Sequence, residues 1–140
     1  MNWDDLNSEK SYNPRSCYNQ SKLANVLFTK ELAKRLQGTN VTVNSLHPGV
    51  IRTELGRHFT DTFGWYARLA MIILLPISLW MFKSAKQGAQ TTIYCAVSKD
   101  LNNVSGVYFS DCKPKDYLPN GNDEDAKRLW DVSEKLCKLK

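Results

Sequence analysis

Apolar residues recur at three- and four-residue steps between Ser16 and Gln37: Leu23, Val26, Leu27, Ala33 and Leu36. That spacing lines one face of an α-helix, and the Ala, Leu, Lys and Glu around it are good helix formers. Lys34 and Arg35 fall in the last turn, where cations suit the helix dipole. Gly38 stands where a terminating glycine is expected. Upstream, 1–15 is polar and turn-rich, with Asn13-Pro14 as a stop signal. The period then changes. Val41, Thr42 and Val43 are β-branched and Leu46 extends the run, so 41–49 predicts a strand that His47-Pro48-Gly49 ends.

Residues 50–64 are mixed and read as a loop or short helix. The most apolar stretch is 65–82, WYARLAMIILLPISLWMF. A membrane-spanning helix needs about 20 apolar residues. Arg68 and Pro76 interrupt this run, so it reads as a buried or interfacial amphipathic segment. Ser84 is placed to cap a helix running to about Val97, with Ala85, Ala89, Ile93 and Ala96 on one side. A polar loop over 98–106, a short β-like run GVYFSD over 106–111 and loop-like residues 112–122 follow. A last amphipathic helix is expected over 123–137, with Leu129, Trp130, Val132, Leu136 and Cys137 toward a core. Helix alternating with strand is the α/β class. Two strands alone make a marginal sheet, so the chain reads as an incomplete folding unit.

The 140 residues are 42% hydrophobic and 24% charged, ordinary globular values that argue against disorder. Nineteen Lys and Arg against 14 Asp and Glu give a net charge of +5. Such a balance permits anionic partners, nucleotides or membrane headgroups among them, but no basic block singles out nucleic acid. Cys17, Cys95, Cys112 and Cys137 lie far apart with no C-x-x-C pair. With only His47 and His58 beside them, no metal site is expected, and reduced thiols are. The start, MNWDDLNSEK, has no apolar run of the signal-peptide kind and reads as the middle of something longer.

The chemically loaded segment is Tyr18-Asn19-Gln20-Ser21-Lys22. Residues four apart on a helix stand on one face, about 6 Å along the axis. An ammonium one turn from a phenol favours the phenolate, and such a phenol can exchange a proton with a substrate hydroxyl or carbonyl. The same ammonium can donate to the sugar hydroxyls of a nucleotide. Y-x-x-x-K alone also occurs by chance on surface helices.

Its context is more specific. The string YNQSKLANVLFTKELAKRLQGTNVTVNSLHPGVIRTEL resembles the short-chain dehydrogenase/reductase family, with Y-x-x-x-K followed by a strand carrying Asn44, then Pro48-Gly49 and Thr53. SKLANVLFTKELAKRL, LHPGVIRTELGRH, GAQTTIYCAVS, SGVYFSDCK and RLWDVSEKL look like retinol dehydrogenases of the microsomal and mitochondrial type. The resemblance implies that Tyr18 is the general acid/base, and that Lys22 binds the nicotinamide ribose and favours the Tyr18 phenolate. It implies that Pro48, Gly49, Val50 and Thr53 line the nicotinamide side, with the Val50 backbone and the Thr53 hydroxyl near the carboxamide. Leu55–Phe82 would be the substrate lid. The cofactor would be NADP(H) by preference, with NAD(H) open. The partner would be a small lipophilic alcohol or aldehyde such as a retinoid, not nucleic acid, with membrane-interface contact through 65–82 and an open oligomeric state. The location would be intracellular, at the endoplasmic reticulum or mitochondrial membrane. Beside these roles stand plainer ones: Ser21 as a helix residue, His47 as a strand-end residue, Asn44 as a support for local backbone.

The chain also departs from the family. It has no Gly-rich strand-to-helix turn for a pyrophosphate. It lacks the N-N-A-G strand and the active-site serine before Tyr18. The fold expected is therefore the carboxyl-terminal half of a Rossmann-type doubly wound parallel sheet, incomplete without an amino-terminal half. Its parts would be a lead-in over 1–15, a catalytic helix, strand and Pro-Gly loop over 16–58, the lid over 59–83, and carboxyl-terminal helices with the last strand over 84–140. The alternative is a truncated, non-catalytic isoform acting as a membrane-associated interaction protein.

Overall fold

The computed structural model describes residues 1–51, 82–116 and 123–139. The elements run α1 (Pro14–Arg35), β1 (Ser45–His47), α2 (Ala85–Val97), β2 (Tyr108–Ser110), β3 (Lys113–Lys115) and α3 (Asp123–Leu136). Short 3-10 turns lie at Trp3–Asp5 and Lys99–Leu101. The strands form one sheet in the order β1-β2-β3, an α/β arrangement. Thr53, the expected lid Leu55–Phe82 up to its last residue, and the apolar run up to Met81 lie outside the described residues. Among the described residues, no helix is long and apolar enough to cross a membrane.

Asn13-Pro14 starts a helix rather than stopping one. The Asn13 side chain accepts from the Ser16 N–H at 3.0 Å, and Pro14 takes the first helical position, where its missing N–H is no loss. Helix α1 thus begins two residues before the expected Ser16 and ends two before Gln37. Strand β1 is shorter than the expected 41–49. Val43 and Asn44 are held instead by side chains: the Val43 N–H donates to Ser105 Oγ at 3.0 Å, and the Asn44 amide bonds backbone. The α2 cap matches expectation, with Ser84 and Gln87 bonding each other's backbone N–H in a capping box.

Two expected faces are corrected. Ala85, Ala89, Ile93 and Ala96 are exposed, and α2 instead buries Gly88 and Thr91. A Cβ on Gly88 would stand 2.2 Å from Ile51 Cδ1, so close approach at the glycine, not the small apolar area of the alanines, sets the face. In α3, Leu129 is buried but Leu136 and Cys137 are exposed at the helix end. Residues 112–122 were expected as loop, yet Lys113–Lys115 is a strand. It pairs through a two-residue turn whose residues, Asp111 and Cys112, have φ of 56° and 57°. A type I′ hairpin turn requires positive φ at both central residues.

The described chain forms two compact units. The first comprises Met1–Ser45, Lys99–Phe109 and Pro114–Lys140. Here α1 packs on α3 around buried Leu27, Ala126 and Leu129, with Met1, Trp3, Leu23 and Ala24 against them. Burying a leucine of this kind contributes about 1.5–3 kcal/mol. The Phe28 ring stacks on Trp130 at 5.5 Å between centroids, and the Arg35 guanidinium lies 4.4 Å from the same indole. Lys30 and Lys34 both pair with Asp123, the first residue of α3, at 2.7 and 3.1 Å. The second unit comprises Leu46–Ser98 and Ser110–Lys113. It contains α2, the residues after β1 and the hairpin turn.

Candidate active site

In the first unit, α1 brings Tyr18 and Lys22 together as their spacing requires. The Lys22 ammonium lies 5.2 Å from the centre of the Tyr18 ring. Tyr18 is 63% exposed. Among the described residues, the Lys22 ammonium makes only this ring contact, which leaves its N–H donors open. Ser21 between them donates its hydroxyl to the Tyr18 carbonyl at 2.8 Å. It is thus a helix residue, bonded to the preceding turn.

Gln20 ties the lead-in to this helix, a role its sequence position does not reveal. Its side-chain oxygen accepts from the Asn2 N–H at 2.8 Å, and its amide donates to the Leu6 carbonyl at 3.0 Å. The lead-in is organised in turn by Asp5, whose carboxylate accepts from the backbone N–H groups of Glu9, Lys10 and Ser11. These bonds, the one from Ser11 foremost, hold its carboxyl below the usual carboxylate range. A cavity of about 280 Å³ lies between the lead-in and α1, lined by Leu6, Tyr12, Cys17 and Ser21 among others. Tyr18 does not line it.

Asn44 supports local backbone, the plain role that the sequence suggests for it. Its Nδ2 donates to the Val104 carbonyl at 2.8 Å, and its Oδ1 accepts from the Val107 N–H at 3.0 Å. His47 is an exposed residue at the end of β1.

In the second unit, Pro48, Gly49 and Val50 follow β1. Gly49 has φ +86°, a conformation that L side chains rarely adopt. Val50 is 60% exposed, and its carbonyl accepts from the Lys83 N–H at 2.9 Å. Thr53, expected beside them, lies outside the described residues. Lys83 was missed by sequence reasoning, although it too bears on this segment. Nothing in a lone lysine 33 residues after Val50 marks it in the sequence.

Residues 6–63 match the short chain dehydrogenase family. The chain is 54% identical to mouse retinol dehydrogenase 14 over 135 residues, 96% of this chain and 39% of the relative. It is 52% identical to human retinol dehydrogenase 14 over 141 residues, 99% of this chain and 40% of the relative. Human retinol dehydrogenase 13 is 49% identical over 99% of this chain and 42% of its own length. The chain thus spans about two-fifths of the length of the relatives it matches.

Proposed function

We infer, from the premise that residues 6–63 belong to the short-chain dehydrogenase family and that nearly the whole chain is retinol dehydrogenase-like, that this is the proton-transferring portion of an oxidoreductase. It interconverts a lipophilic alcohol and its carbonyl compound, and a retinoid is the substrate class to test. The observation that carries this reading is the Lys22 ammonium over the ring of an exposed Tyr18.

Tyr18 is the proton donor and acceptor. In carbonyl reduction its hydroxyl gives a proton to the substrate oxygen, and in alcohol oxidation its phenolate takes one. Lys22 stabilises the phenolate electrostatically and offers its open N–H donors to ribose hydroxyls. A nicotinamide cofactor, when bound, supplies the hydride for reduction and accepts it in oxidation.

The residues present fit the nicotinamide-ribose half of such a cofactor. Within the first unit the open Lys22 donors suit ribose hydroxyls; within the second, the left-handed Gly49 and the exposed Val50 suit the nicotinamide side. Pro48, Gly49, Val50 and Thr53 are assigned to the nicotinamide side. The chain has no glycine cluster on a strand-to-helix turn, so the pyrophosphate is assigned to residues outside it. NADP(H) is proposed ahead of NAD(H). The chain is read as the carboxyl-terminal part of a Rossmann-type domain, and its full-length protein is placed at the endoplasmic reticulum or mitochondrial membrane.

The test is Tyr18→Phe in the full-length protein, assayed for NADPH-dependent retinaldehyde reduction. Turnover is expected to fall by roughly 10²–10⁴-fold while cofactor affinity survives, the loss typical of removing a general acid. Near-normal turnover would remove Tyr18 from the reaction and leave Y-x-x-x-K a surface coincidence.

A further inference from the structure

Main-chain pairing and two side-chain contacts in the second unit converge on Lys83. Its backbone N–H donates to the Val50 carbonyl at 2.9 Å. Ile51 and Lys83 form an isolated parallel bridge. Its side chain crosses Gly49 so closely that a Cβ there would stand 2.9 Å from Cδ and 3.0 Å from both Cε and Nζ. Its ammonium pairs with the Asp111 carboxylate.

Each contact has a separate physical content. The main-chain bond and bridge fix Lys83 alongside Val50 and Ile51. The side chain then runs back over Gly49, using the space that the missing Cβ leaves. Asp111 fixes the far end, on a two-residue turn where positive φ sets its direction. The ion pair itself contributes little, because Lys83 is 34% and Asp111 60% exposed. What matters is the aliphatic stem held across the glycine.

We propose that Lys83 is a positioning residue for the cofactor-binding segment. It straps Gly49 from outside, fixes the Pro48-Gly49-Val50 backbone and so sets the Val50 main-chain groups offered to the nicotinamide. The inference rests on the assignment of 48–50 to the nicotinamide side. A backbone already fixed loses less freedom when the cofactor binds, so the strap acts on cofactor affinity. Proton transfer by Tyr18 is a separate step.

The experiment uses full-length protein, with NADPH binding followed by cofactor fluorescence and retinaldehyde reduction followed in parallel. Lys83→Ala is expected to raise the NADPH Kd and KM by about tenfold, with kcat changing less than KM. Lys83→Met keeps the stem and removes the charge, and is expected to stay within about threefold of wild type. A general loss of folding would move both variants and kcat together, whereas the strap predicts this split. Gly49→Ala separates the two ideas. If it weakens NADPH binding and Lys83→Ala does not, the strap is wrong and the assignment of the segment stands. Unchanged NADPH binding in Gly49→Ala overturns that assignment and the strap with it. Equal weakening in Lys83→Met and Lys83→Ala also overturns the strap, because the ammonium rather than the stem would then be the active part.

Discussion

Lys22 lies over the face of Tyr18, its ammonium 5.2 Å from the ring centre, one turn further along α1. A cation at the ring face is attracted by the aromatic quadrupole. The helix alone fixes this relationship, since both residues belong to α1.

On the proposed roles, Lys22→Ala should act twice in the full-length protein. Cofactor KM should rise as a ribose donor is lost, and kcat should fall as the phenolate loses its cation. Separate measurements of the NADPH KM and of kcat distinguish the two effects. Lys22→Arg should rescue little, because a planar guanidinium does not reproduce a compact ammonium. Unchanged NADPH KM and kcat in Lys22→Ala would remove the lysine from both roles.

Asn44→Ala removes the two side-chain bonds from Asn44 to the Val104 carbonyl and the Val107 N–H. Two part-buried backbone groups would lose their partner, at about 1–3 kcal/mol for each one left unsatisfied. Asn44→Asp should be no milder, because a carboxylate cannot donate to the Val104 carbonyl. Thermal denaturation of the full-length variants measures both. A midpoint equal to wild type would show that the clamp is dispensable.

Gly49→Ala forces a Cβ into φ +86° and onto the Lys83 side chain. The left-handed backbone alone costs about 1–2 kcal/mol. Adding Lys83→Ala should relieve the steric part and leave the backbone part, so the double variant should be more stable than the single effects summed. Strict additivity would mean that the two residues do not meet.

Asp123 is held below the usual carboxylate range, first by its bond from Lys30 and then by that from Lys34. The unfolded reference is 3.8 and the folded value lies lower. The stabilisation is therefore complete above the unfolded value and is lost as pH falls through the folded one. Asp123→Asn should remove a small stabilisation that the wild type shows above about 3.8 and leave the two proteins alike at low pH, so its acid limb should be flatter; the effect is small because the carboxylate is exposed. An acid limb identical in the two proteins would remove Asp123 from it.

Expressed by itself, the 140-residue chain should show neither NADPH binding nor a cooperative thermal transition. Among the described residues, the buried apolar side chains are Leu27, Phe109, Ala126 and Leu129, while Tyr12, Ile93 and Val97 stay at least half exposed. Among the described residues, those four side chains offset little chain entropy. A sharp calorimetric transition with tight NADPH binding would contradict this expectation.

Local chemistry made much of the site legible in advance. Tyr18 and Lys22 needed only a helix, and α1 supplies it from amphipathic spacing and good helix formers. Ser84 capped α2 because the cap is a contact between residues three apart. The family likeness was carried by strings in the sequence itself, and residues 6–63 match that family. Asn13-Pro14 misled, because proline both ends one helix and opens another, and only the Asn13 bond to Ser16 decides which.

The remaining features depend on partners distant in sequence. Gly88 turns α2 toward Ile51 because a Cβ would collide there, which no apolar count on the helix could reveal. Asp111-Cys112 lacks the Asn-Gly signature of a tight hairpin, so β3 was invisible until pairing imposed positive φ on both residues. Lys83 becomes a neighbour of Gly49 only when backbone pairing brings it beside Val50 and Ile51. By itself the sequence determined what a single helix or cap can hold, since those contacts reach one turn. Tertiary structure alone decided the clamp at Asn44, the buried face of α2 and the strap across Gly49, because each joins groups that the chain separates by tens of residues.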